Sequence, residues 1–166
     1  MHDTSRAVDH DHYGDDYLRE ILRSVKSIAM VGASTNWNRP SFFVMKYLCR
    51  KGYRVSPVNP TAAGTNILGA PVVATLADLA EAPDMVDVFR PAAECAAIAE
   101  EAVRIGAKVL WMQLGIRSDE AARIAEAAGL KVVMNRCPKI EFARLHGELG
   151  WNGINSRVIS SKRRKV

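Results

Sequence analysis

The sequence has few cysteines, few aromatic residues and no long hydrophobic run. Its 166 residues include three cysteines, and aromatic residues make up 7% of the chain. An odd number of cysteines without metal-type spacing indicates reduced thiols rather than a disulfide framework. No apolar run approaches the ~20 residues that span a bilayer, and the polar, acidic first residues do not resemble a signal peptide. We therefore expect a cytoplasmic protein, neither membrane-spanning nor secreted.

The net charge of +5 is unevenly distributed along the chain. Residues 1–16 contain five aspartates and one arginine, whereas residues 160–166 contain four basic residues, so these two charged ends cancel and the middle carries the +5. A moderately basic core suits a small polyanionic ligand. A nucleic-acid partner is not expected, because aromatic residues are few and no basic stripe recurs along a helix.

The length suits one domain with a sizeable core. Low hydrophobicity predicts that residues 1–13 form a disordered acidic tail. Residues 151–166 are predicted to form a C-terminal extension that ends in a basic tail. Strand and helix patterns fill the remainder, so we predict one folded domain over residues 14–150.

Short apolar runs alternate with amphipathic segments through this domain. Helix-capping residues and helix-ending glycines separate the runs; Ser118, for example, is predicted to cap a helix that Gly129 ends. Such alternation implies a mostly parallel sheet with helices on both faces, which is a doubly wound α/β fold. The predicted strands are 28–31, 53–58, 85–89, 108–112 and 131–134.

A glycine and a polar turn directly follow the first predicted strand. Gly32 allows a sharp turn, Ser34, Thr35 and Asn36 supply side-chain donors, and Arg39 can balance phosphate charge. The first strand–turn–helix of an open α/β sheet commonly holds a phosphate. The first helical N–H groups have no partner within the helix, and the aligned peptide dipoles favour negative charge there. The turn is therefore predicted to bind phosphate.

The motifs of two common nucleotide-binding folds are missing from this turn. A G-x-G-x-x-G motif that begins at Gly32 would need glycine at positions 34 and 37, which are Ser34 and Trp37. The second strand ends in Val58-Asn59-Pro60, without the acidic residue that grips a ribose in NAD sites. No G-x-x-x-x-G-K-[ST] motif is present either. The turn therefore predicts neither NAD nor ATP as the ligand.

Short motifs that follow the predicted strands in order resemble a known family. Together they are similar to the small single-domain CoA-binding proteins, which in turn resemble the N-terminal CoA-binding domain of the succinyl-CoA synthetase α subunit. The resemblance covers about residues 15–147. The motifs are Val31–Ser34, Gly52-Tyr53, Val58–Pro60, Val86–Pro91, Trp111–Ile116 and Asn135–Cys137.

This resemblance implies a Rossmann-like domain that binds coenzyme A. In the synthetase, the turn after the first strand holds the phosphates, and here that turn is Ser34–Trp37 with Arg39 close by. Arg54 is the nearest candidate for a further basic contact from the second strand. The loop after the fourth strand corresponds to Met112–Leu114, where the synthetase has an acidic residue in place of Leu114. The synthetase's second domain, with its phosphorylated histidine, has no counterpart, so the resemblance implies binding without ligase chemistry.

The chemistry of coenzyme A agrees with this interpretation. Its pyrophosphate and 3′-phosphate suit helix N-termini and arginine, and its adenine needs an apolar slot that Val58, Pro60 and Phe89 could supply. Arg90 leaves the third predicted strand at the edge where a ligand would bind. The predicted binding residues are Gly32, Ala33, Ser34, Thr35, Asn36, Trp37, Arg39, Arg54, Val58, Asn59, Pro60, Phe89, Arg90, Met112, Gln113 and Leu114.

Several alternatives stay open at the level of sequence. The ligand could be free CoA, an acyl-CoA or another adenine nucleotide, and Arg90 could instead form a salt bridge with Asp87 or Glu94. Cys137 could form a mixed disulfide with the CoA thiol, although a reduced structural cysteine is the simpler interpretation. The sequence shows no nucleophile–base pair and no metal set, so we predict no catalytic residue. The alternative functions are a small NAD(P)-type oxidoreductase or CoA-dependent enzyme, and a regulatory or scaffold subunit; a homodimer or another protein partner also stays open.

Overall fold

The computed structural model describes residues 7–147, so the predicted extension at 151–166 lies outside the described residues. Within this range no helix has the length and apolar character to cross a membrane. The elements in chain order are α1 (Asp15–Ser24), β1 (Ser27–Val31), α2 (Pro40–Arg50), β2 (Arg54–Val58), β3 (Asn66–Ile67), β4 (Ala70–Pro71), a 3₁₀ turn (Leu76–Asp78), β5 (Met85–Val88), α3 (Ala92–Arg104), β6 (Val109–Met112), α4 (Asp119–Ala127), β7 (Lys131–Val133) and α5 (Pro138–Leu145).

Five parallel strands form the main sheet in the order β2-β1-β5-β6-β7. The short strands β3 and β4 form a separate antiparallel ribbon. The chain runs outward from β1 to β2 and then crosses to the other side of β1, where β5 pairs. The order therefore reverses between β1 and β5, and in doubly wound folds ligands bind outside the carboxyl ends of the strands at such a point. The predicted Rossmann-like α/β fold is confirmed.

Alternate residues of each strand serve two different core layers. Ile28 and Met30 of β1 pack with buried residues of α1 and α2, such as Leu18 and Leu48. Ala29, which lies between them, belongs to the layer beneath α3 and α4. Because side chains alternate along a strand, a strand covered on both faces is apolar throughout, as β6 is.

Alanines allow α3 and α4 to lie close to the sheet and to each other. The buried positions of α4 are Ala121, Ala122 and Ala125, and α3 buries Ala99 and Ala102 beside Ile98. The predicted cap of α4 is also present, since the Ser118 side chain accepts a hydrogen bond from the backbone N–H of Ala121. The opposite layer uses larger side chains, including Trp111 and Met45.

Two tyrosines cover the outer edge of β7. The Tyr17 hydroxyl donates to the carbonyl oxygen of Val132 at 2.9 Å and accepts from the N–H of the same residue at 3.2 Å. The Tyr13 hydroxyl accepts from the N–H of Met134 at 2.9 Å. These are outward-facing backbone groups of an edge strand, which would otherwise be open to pairing with another chain.

The segment just before α1 also lies against the domain. The His10 imidazole is 2.6 Å from Glu126 and 2.7 Å from the Tyr13 hydroxyl. The Asp11 carboxylate accepts from Arg117 at 2.7 Å, and its carbonyl oxygen accepts from Arg136 at 3.0 Å. His10 and Asp11 thus contact α4, the loop before it and the residues after β7, while the disordered tail over residues 1–13 stays a prediction.

Candidate functional site

The carboxyl ends of β1 and β5 meet at the point where the strand order reverses. The N–H of Gly32 donates to the carbonyl oxygen of Val58 at 2.9 Å, and the N–H of Phe89 donates to that of Val31 at 2.8 Å. The N–H of Gln113 continues the ladder by donating to Val88 at 3.1 Å. The residues that follow β1, β2, β5 and β6 therefore lie along one edge.

Gly32 fills a position that no other residue fits. Its φ is +87°, and a Cβ atom would lie 2.6 Å from the carbonyl oxygen of Phe89 and 2.9 Å from Cδ of Arg90. The first of these atoms belongs to the backbone and cannot rotate away. The glycine is thus required for the close approach of the chain after β5, independently of any ligand.

Hydrogen bonds between neighbouring residues hold the shape of the turn between β1 and α2. The Ser34 hydroxyl accepts from the N–H of Asn36 at 3.1 Å, and the Asn36 side-chain oxygen accepts from Asn38 at 3.0 Å. Within residues 7–147 the amides of Thr35 and Trp37 have no hydrogen-bond acceptor, and both residues are exposed. Free amides beside a helix N-terminus can bind an anion.

Arg39 is the N-cap residue of α2, and its side chain is exposed at the mouth of the same turn. No side-chain cap satisfies the first turn of this helix, and Pro40 occupies its first position. Proline fits there because its missing N–H would have had no intrahelical partner. The turn thus combines free amides, a helix N-terminus and one cation.

Asn59 ties two parts of this edge together. Its side-chain NH₂ donates to the carbonyl oxygen of Ala33 at 2.8 Å. Its side-chain oxygen accepts from the Thr61 N–H at 3.0 Å and from the Thr61 hydroxyl at 2.8 Å. This hydrogen bonding positions the turn after β1 relative to the loop after β2.

A cleft of about 500 Å³ opens beside the turn, between the ends of β1 and β2 and the first turns of α3. Apolar atoms form most of its walls, with Val58 and Pro60 on one side and α3 on the other. Its volume falls in the usual range for small-molecule sites. The lining residues are Val31, Gly32, Val58, Asn59, Pro60, Thr61, Ala74, Thr75, Leu76, Arg90, Ala93, Glu94, Ala97, Ile98 and Glu101.

The charges in the cleft are partly neutralised within it. The Arg90 guanidinium donates two hydrogen bonds to Glu94, at 2.8 and 3.1 Å, and this pairing raises the pKa of the arginine. Glu101 is a second carboxylate on the same wall. Of the two salt bridges proposed from the sequence, the one with Glu94 is present, whereas Asp87 points into the protein.

Asp87 and Gln113 are two buried polar residues on the face of the sheet that points away from the cleft. Asp87 is fully buried, and both of its carboxylate oxygens, like the side-chain oxygen of Gln113, have no hydrogen-bond partner among residues 7–147. Burial without compensation raises the pKa of Asp87 well above its ordinary value of 3.8. Burial also raises the pKa of the Cys137 thiol, a change opposite to the one that makes a cysteine reactive.

The structure brings together most of the residues predicted from the sequence. The turn from Gly32 to Arg39, the loop Val58–Pro60, Arg90 and the residues Met112–Leu114 all lie at the carboxyl edge. Within that group Met112 and Ala33 are buried, Gln113 is 7% exposed, and Trp37 and Leu114 are exposed by 66% and 58%. The prediction that these residues contact a ligand stays a prediction.

Arg54 is a correction, because it lies at the other end of its strand. It is the first residue of β2 and pairs in register with Ser27, the first residue of β1. The strand rises ~3.3 Å per residue, so four residues place Arg54 about 13 Å from Val58. It lines a separate pocket of about 220 Å³ at the amino edge. We therefore remove Arg54 from the candidate site.

Phe89 is a second correction. It follows β5 on the same side as Asp87, and it packs against the layer of α1, α2 and α5 rather than lining the cleft. Apolar walls come instead from Leu76, Ile98 and the exposed Ala97. Only Val58 and Pro60 of the predicted adenine slot line the cleft.

Sequence reasoning missed the wall that α3 contributes. The alanines of this helix have two roles, since Ala99 and Ala102 pack in the core whereas Ala93 and Ala97 line the cleft. Ala93, Ala97 and Glu101 recur every four residues on one helix face, but this spacing does not by itself distinguish a cleft wall from a packing surface. No group of His, Cys, Asp and Glu side chains among the described residues could hold a metal ion.

A family model described as a CoA binding domain matches residues 26–143. The chain is 36% identical over 126 residues to the uncharacterized protein YneT of Bacillus subtilis, which covers 76% of this chain and 92% of that protein. These matches show that the chain belongs to the CoA binding domain family.

Solved structures agree with this assignment. A hypothetical protein from Pyrococcus horikoshii is 38% identical with a TM-score of 0.79, and the match covers 86% of this chain and 99% of that one. The cell-free protein ID.343 of Thermus thermophilus is 39% identical with a TM-score of 0.76, over 80% of this chain and 99% of that one. The chain thus spans almost the whole length of these small relatives.

Proposed function

We propose that this protein binds coenzyme A or an acyl-CoA, with the ligand's pyrophosphate held at the turn between β1 and α2. The observation that carries the location is the pair of free amides, Thr35 and Trp37, beside the N-terminus of α2. They lie at the point where the strand order reverses, which is where doubly wound folds bind nucleotides. Membership of the CoA binding domain family supports the choice of ligand.

The adenosine part of the ligand is assigned to the neighbouring cleft. Its apolar walls suit a flat base, and the carboxylates of Glu94 and Glu101 can accept hydrogen bonds from an exocyclic amine or from ribose hydroxyls. Phosphates fit this wall poorly because Arg90 is already paired with Glu94. The division therefore assigns phosphate to the turn and adenine to the cleft.

A binding role without catalysis fits the side chains along this edge. Cys95 and Cys137 both lie near the edge, both are buried, and burial raises the pKa of both thiols. Asp87 has no hydrogen-bond partner that could orient it as a base toward a nucleophile. We therefore propose that the site binds a CoA ligand, and we assign no residue a role in a chemical step.

Calorimetric titration with CoA, acetyl-CoA, NAD and ATP tests the ligand. We expect CoA and acetyl-CoA to bind and NAD and ATP to bind at least tenfold more weakly. Trp37 is 66% exposed in the turn, so its fluorescence provides a second readout, with Trp37→Phe as the control for signal from the other tryptophans. Preferential binding of NAD would overturn the assignment and favour a small oxidoreductase.

Charge reversal at the two ends of α2 tests the position of the phosphates. Arg39→Glu places a carboxylate at the turn, whereas Arg50→Glu makes the same change at the last residue of this 11-residue helix, about 16 Å away. That separation exceeds the Debye length of ~8 Å at physiological salt. We expect Arg39→Glu to weaken CoA binding about tenfold and Arg50→Glu to change it less than twofold. Equal effects of the two variants would refute the placement.

A further inference from the structure

We propose that Asp87, Gln113 and Cys137 form an interior subsite that binds the neutral, hydrogen-bond-donating arm of a CoA ligand. This arm is the pantetheine chain, whose amide N–H groups and terminal thiol are donors. The proposal rests on the proposed function, since it assigns a further part of the same ligand. The proposal goes beyond the proposed function because Asp87 and Cys137 do not line the cleft and do not belong to the turn.

The unpartnered oxygens are the first observation. Asp87 is the third residue of β5 and lies in register between Met30 of β1 and Trp111 of β6, so apolar side chains flank it on both sides. Within the part of the chain that the structure describes, both of its carboxylate oxygens and the side-chain oxygen of Gln113 lack a hydrogen-bond partner. Nearly all buried polar groups in proteins are hydrogen-bonded, and leaving one unpaired destabilises the fold. Three unpaired acceptor atoms along one edge indicate a place for donors.

The three side chains belong to one cluster. Asp87 and Gln113 point to the same side of the sheet, because Asp87 pairs with Trp111 and Gln113 follows two residues later. Gln113 and Asp87 both lie close enough to the Cys137 thiol to influence its pKa. Cys137 is also the N-cap residue of α5, where it makes no side-chain cap. Side chains that can accept hydrogen bonds therefore lie together between β5, β6 and α5.

The missing counter-charge identifies which part of the ligand fits. Burial raises the pKa of Asp87, and among residues 7–147 no basic side chain counters this effect. A phosphate placed here would meet no cation, whereas a neutral chain would require none. A carboxyl group accepts from an amide N–H or a thiol, and in its protonated form it also donates to an amide carbonyl. Amide and thiol groups of the neutral arm match this chemistry.

Gln113 connects the subsite with the outer edge. It is 7% exposed, whereas Asp87 is fully buried, and its neighbour Leu114 is 58% exposed. Its backbone N–H is already used in the ladder with Val88, so the side chain is the part that can reorient. An arm that passes Leu114 would therefore contact the Gln113 side chain first and Asp87 behind it.

The test compares ligands that contain and lack the arm. Calorimetry measures CoA, desulfo-CoA and adenosine 3′,5′-bisphosphate, which has no pantetheine, against the wild type, Asp87→Leu and Gln113→Met. Leucine and methionine approximate the shapes of the residues that they replace but donate and accept no hydrogen bonds. We expect each variant to weaken CoA about five- to tenfold and to change the bisphosphate less than twofold.

Desulfo-CoA identifies the donor. If the thiol is the donor, desulfo-CoA should bind the wild type as weakly as CoA binds Asp87→Leu. If the amides are the donors, desulfo-CoA should bind the wild type as tightly as CoA does, and Asp87→Leu should weaken its binding. Either result supports the subsite. Unchanged CoA affinity in both variants, or equal losses for CoA and the bisphosphate, overturns it while leaving the proposed function intact. Failure of the wild type to bind either ligand overturns the proposed function as well.

Discussion

The carboxyl edge of the sheet is open on the side of α3 and closed on the side of α2 and α5. On the open side Ala93 and Ala97 present short side chains to the cleft. On the closed side the core contains large side chains, such as Met30 and Trp111, each fully buried. Side-chain size on the two faces therefore decides where a ligand can enter without any rearrangement.

The two sides also treat polar groups differently. Arg90 and Glu94 on the open side pair with each other and remain about half exposed, at 46% and 48%. On the closed side Asp87 is buried with neither oxygen paired. Among the described residues, Arg90 and Glu94 on the open side therefore satisfy each other, whereas Asp87 on the closed side has no hydrogen-bond partner.

Gly32 joins the two sides, and substituting it should have the largest effect. Gly32→Ala adds a Cβ atom 2.6 Å from the Phe89 carbonyl oxygen at a positive φ, so we expect a loss of about 3 kcal/mol in the free energy of unfolding. Gly52→Ala is the matched control, because its φ is +96° and nothing lies within 4 Å. We expect it to lose about 1 kcal/mol. Urea unfolding measures both, and equal losses would contradict the close-approach argument.

Asp87→Asn should remove a pH dependence that the closed side imposes. The pKa of Asp87 is raised in the folded state, so the folded protein retains a proton that the unfolded chain loses above its ordinary value of 3.8. This contribution to stability is complete below pH 3.8 and is lost as the pH rises through the folded-state pKa.

The measurement is urea unfolding of the wild type and Asp87→Asn at a series of pH values. Between pH 3.8 and the folded-state pKa of Asp87, the free energy of unfolding of the wild type relative to the asparagine variant should fall by about 1.4 kcal/mol per pH unit. A difference between the two proteins that stays constant with pH would show that Asp87 titrates normally.

Ala97→Leu should close the open side. Leucine is a good helix former, so the exposed substitution should leave stability almost unchanged while its side chain fills part of the cleft. We expect CoA affinity to fall about tenfold, as measured by calorimetry. Ala127→Leu, at an exposed position near the end of α4, is the control and should bind CoA as the wild type does. Similar affinities for the two variants would remove the cleft from the site.

Glu94→Gln should have the smallest effect. Removing the carboxylate releases Arg90 from its pair, and exposed ion pairs contribute little to stability, so the fold should be unaffected. The freed guanidinium can approach a phosphate, and we expect CoA to bind about threefold more tightly, with a smaller change for dephospho-CoA. Weaker binding of both ligands would instead indicate that Glu94 itself contacts the ligand.

Much of the fold could be predicted because its determinants are local in the sequence. Apolar runs predicted all five strands of the main sheet, and Ser118 predicted the start of α4. Since parallel strands end at the same edge, the residues after each strand could be grouped before their positions were known. Arg54 failed because it begins β2 instead of following it.

Other features depend on contacts between distant parts of the chain. Whether Asp87 finds a hydrogen-bond partner depends on what α2, α5 and β6 place around it, and its own segment does not encode this. The same periodic alanines of α3 pack at Ala99 and line a cleft at Ala97, so the pattern alone could not distinguish the two. His10 and Tyr13 fall within the predicted polar tail, and their hydrogen bonds to Glu126 and Met134 join distant parts of the chain, so the sequence around them could not predict these contacts.

The hydroxyls of Tyr13 and Tyr17 have a consequence for self-association. They use the outward-facing N–H groups of Val132 and Met134, so β7 cannot recruit a sixth strand without first breaking these bonds. The opposite margin is also occupied, because Val73 pairs with Val58 and Pro57 has no N–H to offer. A second copy that pairs with either margin of the sheet would first have to displace these contacts. The concentrated protein should resist amyloid-like growth from either end of its sheet.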